Sequence, residues 1–95
     1  VFIDESDLIV RQLQDNAAKL NSDNAIIKQA KINENLLMNL EPFDIIFLDP
    51  PFKQDLLTMC FDWLERQHLL RTHSCIYIET NKQLTANDFP QTWVV

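Results

Sequence analysis

Apolar positions along the chain switch between two spacings, and the switches divide it into alternating strands and helices. Val1-Phe2-Ile3 is an unbroken apolar triplet that reads as the end of a buried strand. Asp4-Glu5-Ser6-Asp7 follows, supplying side-chain oxygens for a helix N-cap and negative charge for the positive end of the helix dipole. Val10, Leu13, Ala17 and Leu20 then recur three and four residues apart, which predicts an amphipathic helix through about residue 20. Asn21-Ser22-Asp23-Asn24 reads as a turn, and Ala25-Ile26-Ile27 as a short β-branched strand. Glu34 to Leu40 suits a brief helix with Leu36, Leu37 and Leu40 on one side.

The strongest strand signal is Phe43 to Leu48, an apolar run broken only by Asp44, as expected of a strand covered on both faces in a parallel sheet. It stops at Asp49-Pro50-Pro51, because two consecutive prolines cannot donate ladder hydrogen bonds. Leu57, Cys60, Phe61 and Leu64 predict a second helix from about Gln54 to His68, and Cys75 to Ile78 the next buried strand, with Glu79 at its end. The tail from Asn81 to Val95, with Pro90 and Trp93, reads as a loop entering one more strand. The order β-α-β-α-β-α-β, spaced for right-handed crossovers, predicts an α/β fold with a mostly parallel sheet and flanking helices. No linker, repeat or low-complexity tract divides the 95 residues, so they read as belonging to one domain. Ligands of such sheets bind beyond the carboxyl ends of the strands, which directs attention to Asp4, Asp49 to Phe52, and Glu79.

Composition narrows the chemistry. At 46% hydrophobic and 23% charged residues the chain is ordinary globular protein, but it has no glycine, where average usage predicts about six or seven. A glycine-rich phosphate or dinucleotide loop is therefore excluded from these residues. A net charge of -6 repels polyphosphate, so this stretch by itself is expected to bind nucleic acid poorly. Cys60 and Cys75 have neither metal-site nor disulfide-scaffold spacing and read as free, buried thiols in a reduced, intracellular setting. No apolar run approaches the roughly 20 residues of a membrane span, and no signal peptide is recognisable. The start in an apolar triplet without Met suggests a sequence that begins inside a domain.

Asp49-Pro50-Pro51-Phe52 carries the chemistry. It sets a carboxylate, stiff carbonyl groups and an aromatic ring at the ligand-binding edge of the sheet, an arrangement that suits a planar amine. The exocyclic amine of a nucleobase has its lone pair drawn into the ring, and it attacks an electrophile better when acceptors pull its hydrogens toward tetrahedral geometry. Asp49 and the Pro50 carbonyl are candidates for those acceptors, with direction fixed in advance by the prolines. Phe52 is a candidate to stack on the base, a contact worth about 1–3 kcal/mol.

Phe43-Asp44-Ile45-Ile46-Phe47-Leu48-Asp49-Pro50-Pro51-Phe52 resembles the motif IV strand of S-adenosylmethionine-dependent amino methyltransferases. With Val1-Phe2-Ile3-Asp4 upstream and Ile76-Tyr77-Ile78-Glu79 downstream, nearly the whole chain is similar to the RsmD type, the bacterial 16S ribosomal RNA guanine-N2 methyltransferases. The resemblance implies a Rossmann-like methyltransferase fold, S-adenosylmethionine as cofactor, and methyl transfer to a guanine N2 in 16S ribosomal RNA. It implies that Asp49 and Pro50 are catalytic, that Pro51 and Phe52 bind the base, and that Asp4 takes the cofactor's ribose hydroxyls. It also implies a partial domain, with the first strand and glycine-rich cofactor loop before Val1 and closing strands after Val95. The RNA-binding residues would lie mostly outside this chain, in a cytoplasmic monomer that needs no metal. The family's acidic residue after the next strand is not evident here, where Lys31 and Asn33 stand.

Plainer readings stand beside these. Asp49 to Phe52 also suits a strand-ending turn, Asp4 a helix cap, and Glu79 a solvated or ion-paired carboxylate. His68 and His73 read as surface residues, while Cys60, Cys75, Trp63 and Trp93 read as packing. A D-P-P-F motif does not name its base, so adenine-N6 methylation of DNA is an alternative, as is a noncatalytic binding module on the same fold.

Overall fold

A computed structural model describes residues 1–49, 56–81 and 83–94. The chain divides into two units, Val1–Leu36 and Leu37–Val95.

The first unit holds β1 (Phe2–Asp4), α1 (Asp7–Lys19) and β2 (Ile27–Gln29). Ser6 is the N-cap of α1, its hydroxyl accepting from the Ile9 backbone N–H at 3.3 Å, and Asp7 adds negative charge to the first turn. Of the predicted stripe, Val10 is buried and Leu13 and Ala17 are half-buried, but Leu20 lies past the last helical residue and is exposed. β1 and β2 pair in parallel, Phe2 with Ile27 and Asp4 with Gln29. The second strand begins two residues later than its β-branched run suggests, because the Phe2 N–H takes the Ile26 carbonyl just ahead of it. Val1 and Phe2 are exposed, contrary to the buried strand end read from their apolarity. Between residues 34 and 40 a 3₁₀ helix over Glu34–Leu37 replaces the predicted helix. Asn33 holds it through the Leu36 N–H, which donates to the Asn33 side chain and carbonyl.

The second unit holds β3 (Phe43–Leu48), α2 (Leu56–Arg66), β4 (Leu70–Ile78) and a 3₁₀ turn at Ala86–Asp88. Its core is the apolar face of α2: Cys60, Phe61 and Leu64 are buried together with Leu69. The Phe61 ring, 2% exposed, stacks on Phe89 at 5.3 Å and meets Trp93 edge-on at 5.1 Å, while the Trp93 indole N–H donates to Glu65. Trp93 thus serves packing, as expected, but among the described residues the tail forms this turn and no further strand.

β3 and β4 pair in parallel, with Ile46 opposite Ile76 and Leu48 opposite Ile78. β4 is longer than its apolar core because residues 71–74 form an irregularity between the Phe43–Leu70 and Ile45–Cys75 pairs. Ser74 closes it: its hydroxyl donates to the Phe43 carbonyl and accepts the Arg71 N–H, both at 2.7 Å, and the Arg71 guanidinium reaches Asp44 at 2.9 Å. The strand is not covered on both faces as its apolar run suggests. Ile46 and Leu48 are half-buried, whereas Ile45 and Phe47 are 57% and 75% exposed, and Phe47 stacks on Tyr77 at 5.3 Å on that open side. Cys75 shares the exposed side, so only Cys60 fits the expectation of a buried thiol.

The missing glycines have a structural counterpart. Asn21, Asn39, His68 and His73 occupy left-handed backbone conformations, with φ of 52°, 66°, 54° and 70°. Two of them end helices in the Schellman manner. Asn21 and Ser22 donate to the Ala18 and Ala17 carbonyls after α1, and His68 and Leu69 donate to the Glu65 and Leu64 carbonyls after α2. Glycine is the usual residue at that position; here asparagine and histidine take it.

Candidate active site

In the second unit, β3 delivers Asp49 directly after its last residue. The ladder persists to that point, since the Glu79 N–H donates to the Leu48 carbonyl at 2.9 Å, one position beyond the Leu48–Ile78 pair. Asp49 and Glu79 therefore occupy neighbouring positions at the carboxyl end of two parallel strands, and both are exposed. Among the described residues no ion pair engages either carboxylate. Pro50, Pro51 and Phe52, the rest of the sequence-predicted site, lie outside the described residues.

Asp4 stands at the carboxyl end of β1 in the first unit, half-buried. One of its carboxylate oxygens accepts the Ser6 N–H at 2.8 Å, and its backbone carbonyl accepts the Ala30 N–H at 3.0 Å. The helix-capping and ligand-binding readings of Asp4 are compatible. The bond to Ser6 orders the entry to α1 and fixes the carboxylate's direction with one oxygen, so the second can serve a hydroxyl.

The other singled-out side chains fall elsewhere. His68 is exposed at the turn after α2 and His73 in the irregular stretch of β4, and among the described residues no group of three His, Cys, Asp or Glu side chains could hold a metal ion. Burial pushes the Cys60 thiol above its ordinary pKa, which makes it a poor nucleophile. A groove of about 410 Å³ along α2 is lined by Asp62, Glu65 and Asp88, but each carboxylate is engaged: with Arg66, Trp93 and Thr85 respectively. Among the described residues no helix is long and apolar enough to cross a membrane. Sequence reasoning missed the Ser74 closure, which no local signal announces. It gave Glu79 little weight, although an acid ending an apolar strand, as at Asp49, was the available sign.

Over residues 1–95 the chain matches the family model described as Conserved hypothetical protein 95. It belongs to that family. Curated proteins similar to it are named Ribosomal RNA small subunit methyltransferase D. One from Escherichia coli strain K12 is 29% identical over 85 residues, covering 90% of this chain and 43% of the relative. Another, from Buchnera aphidicola subsp. Baizongia pistaciae, is 35% identical over 81 residues, covering 81% and 40%. Among solved structures, yhhF from Escherichia coli, provisionally named a methyltransferase, superposes with a TM-score of 0.70 at 30% identity, covering 80% of this chain and 43% of that one. The chain thus spans less than half the length of these relatives. Membership of the family bears out the RsmD-type resemblance, and the structural likeness bears out the α/β, Rossmann-like methyltransferase fold read from the sequence.

Proposed function

We propose that the protein transfers a methyl group from S-adenosylmethionine to the exocyclic N2 of a guanine in 16S ribosomal RNA, in the cytoplasm. The observation that carries this reading is Asp49, exposed at the carboxyl end of β3 and opening an Asp-Pro-Pro-Phe motif, in a family whose curated relatives are named for ribosomal RNA methylation. When bound, the cofactor supplies a methyl group on a positively charged sulfur. Asp4 fits its ribose: a half-buried carboxylate, already oriented by Ser6, has one oxygen left to accept from a diol.

Asp49 and the Pro50 carbonyl accept the two amine hydrogens of the target guanine. That draws the nitrogen lone pair out of conjugation and aims it at the methyl carbon; as the nitrogen–carbon bond forms the carbon–sulfur bond would break to leave a neutral thioether, and the alkylated nitrogen sheds one proton, while the prolines keep the acceptors from reorganising as that charge develops. Phe52 stacks on the extruded base and Pro51 takes part in binding it, which offsets the few kcal/mol of unstacking. The net charge of -6 assigns little RNA affinity to these 95 residues, so RNA contacts come mostly from elsewhere in the protein.

The test is a methyl-transfer assay with the product of the complete gene, labelled S-adenosylmethionine, and either small-subunit ribosomal RNA or adenine-rich DNA. Label in N2-methylguanosine from RNA is expected. Label in N6-methyladenine of DNA would favour the adenine reading, and failure to bind cofactor at all would favour a noncatalytic module.

A further inference from the structure

We infer that Glu79 is a second acceptor in this site and selects guanine by its N1–H. The inference rests on the function proposed above and deepens it. The Glu79 N–H bond to the Leu48 carbonyl fixes the register up to the last ladder position, so Asp49 and Glu79 stand side by side on adjacent strands, about 4.8 Å apart in backbone spacing. Strand alternation puts both on the side of the sheet that carries the stacked pair Phe47 and Tyr77, while the alternate residues Ile46, Leu48, Ile76 and Ile78 turn the other way. Acids at directly opposite positions on adjacent strands are an unfavourable pair, and a ligand that presents two donors on one edge suits them.

Guanine has such an edge, with N1–H beside the N2 amine. Adenine does not, because its N1 is an acceptor and would face the Glu79 carboxylate lone pair to lone pair. Asp49 then holds the reacting amine and Glu79 reads the neighbouring ring nitrogen. Glu79 is a specificity residue that takes no part in bond making. A site built to pair with a substrate N–H rejects an analogue that lacks it more strongly than shape alone does.

The experiment replaces the methylated guanine with 2-aminopurine, which keeps the exocyclic amine but has an unprotonated N1. Small-subunit ribosomal RNA carrying either base is made by ligation and offered, as naked RNA and as reconstituted subunits, to the wild-type product of the complete gene and to Glu79→Gln. Wild type is expected to prefer guanine over 2-aminopurine by roughly ten- to a hundredfold in kcat/KM, the range of one hydrogen bond to a charged group. Glu79→Gln is expected to lose most of that preference, since its amide can donate to an unprotonated N1 as readily as its oxygen accepts from a protonated one. A general loss of folding lowers both rates together and leaves the ratio untouched, so an unchanged ratio in Glu79→Gln overturns the inference, as does a wild-type enzyme that uses both bases equally. A wild type that methylates neither RNA overturns the proposed function itself.

Discussion

His68 gives the most direct measure of what a glycine-free chain sacrifices. It sits at φ 54° immediately after α2, its N–H donating to the Glu65 carbonyl and that of Leu69 donating to Leu64, so the left-handed turn is held by the helix it ends. A β-carbon in that conformation costs about 1–2 kcal/mol, taken at mid-range as about 1.5 kcal/mol. Replacing it with glycine removes the clash but widens the unfolded ensemble, which offsets roughly 0.4–1 kcal/mol. The balance for His68→Gly is a gain of about 0.5–1 kcal/mol. Its imidazole is exposed, so no packing is lost. His68→Ala keeps the β-carbon and should stay within about 0.5 kcal/mol of wild type. In urea titration with an m-value of about 1 kcal/mol/M, the glycine midpoint should rise by roughly 0.5–1 M with unchanged slope, and the alanine midpoint should barely move. Asn21→Gly should gain less, because asparagine already tolerates this region. A glycine variant no more stable than the alanine variant would mean that the left-handed β-carbon carries no such cost.

Phe61→Ala should remove about 3–5 kcal/mol, a large fraction of the stability of a typical protein, and the emission of Trp93, its edge-on neighbour, should change with it; a loss below about 1 kcal/mol in thermal unfolding would mean the aromatic cluster is not the core. Ser74→Ala should cost about 1–3 kcal/mol and speed hydrogen exchange at the Arg71 amide, while Ser74→Thr, which keeps the hydroxyl, should restore most of both. With a thiol reagent at pH 8, exposed Cys75 should react promptly and buried Cys60 only slowly; because burial raises the Cys60 pKa, the Cys60 rate should climb only above the ordinary thiol range, as single Cys→Ser variants would report.

Much of this structure was legible because its signals are local. Phe43 to Leu48 is a strand with the bounds its apolar run suggests, and α1 begins where Ser6 can cap it. What failed depended on neighbours. An apolar strand reveals that it can be covered, not that it is, and Ile45 and Phe47 face outward here. The irregularity at residues 71–74 is written in pairing with β3, so the apolar count began β4 at Cys75 when it starts at Leu70. Glu34 to Leu40 has a helical leucine spacing, yet Asn33 holds only a 3₁₀ helix there. Asp49 and Asp4 each stand at the end of their own strand as the apolar runs imply, while the adjacency of Asp49 and Glu79 needed the β3–β4 register.

The proposed chemistry stands on the amine acceptor at the end of β3. Mass spectrometry of digested small-subunit ribosomal RNA, after reaction with labelled S-adenosylmethionine and either wild-type protein or Asp49→Ala, shows whether Asp49 fills that role. N2-methylguanosine is expected with wild type and nearly none with Asp49→Ala, whose thermal unfolding should match wild type because Asp49 is exposed and unpaired among the described residues. A folded Asp49→Ala protein that methylates the same guanine at a rate close to wild type would contradict it.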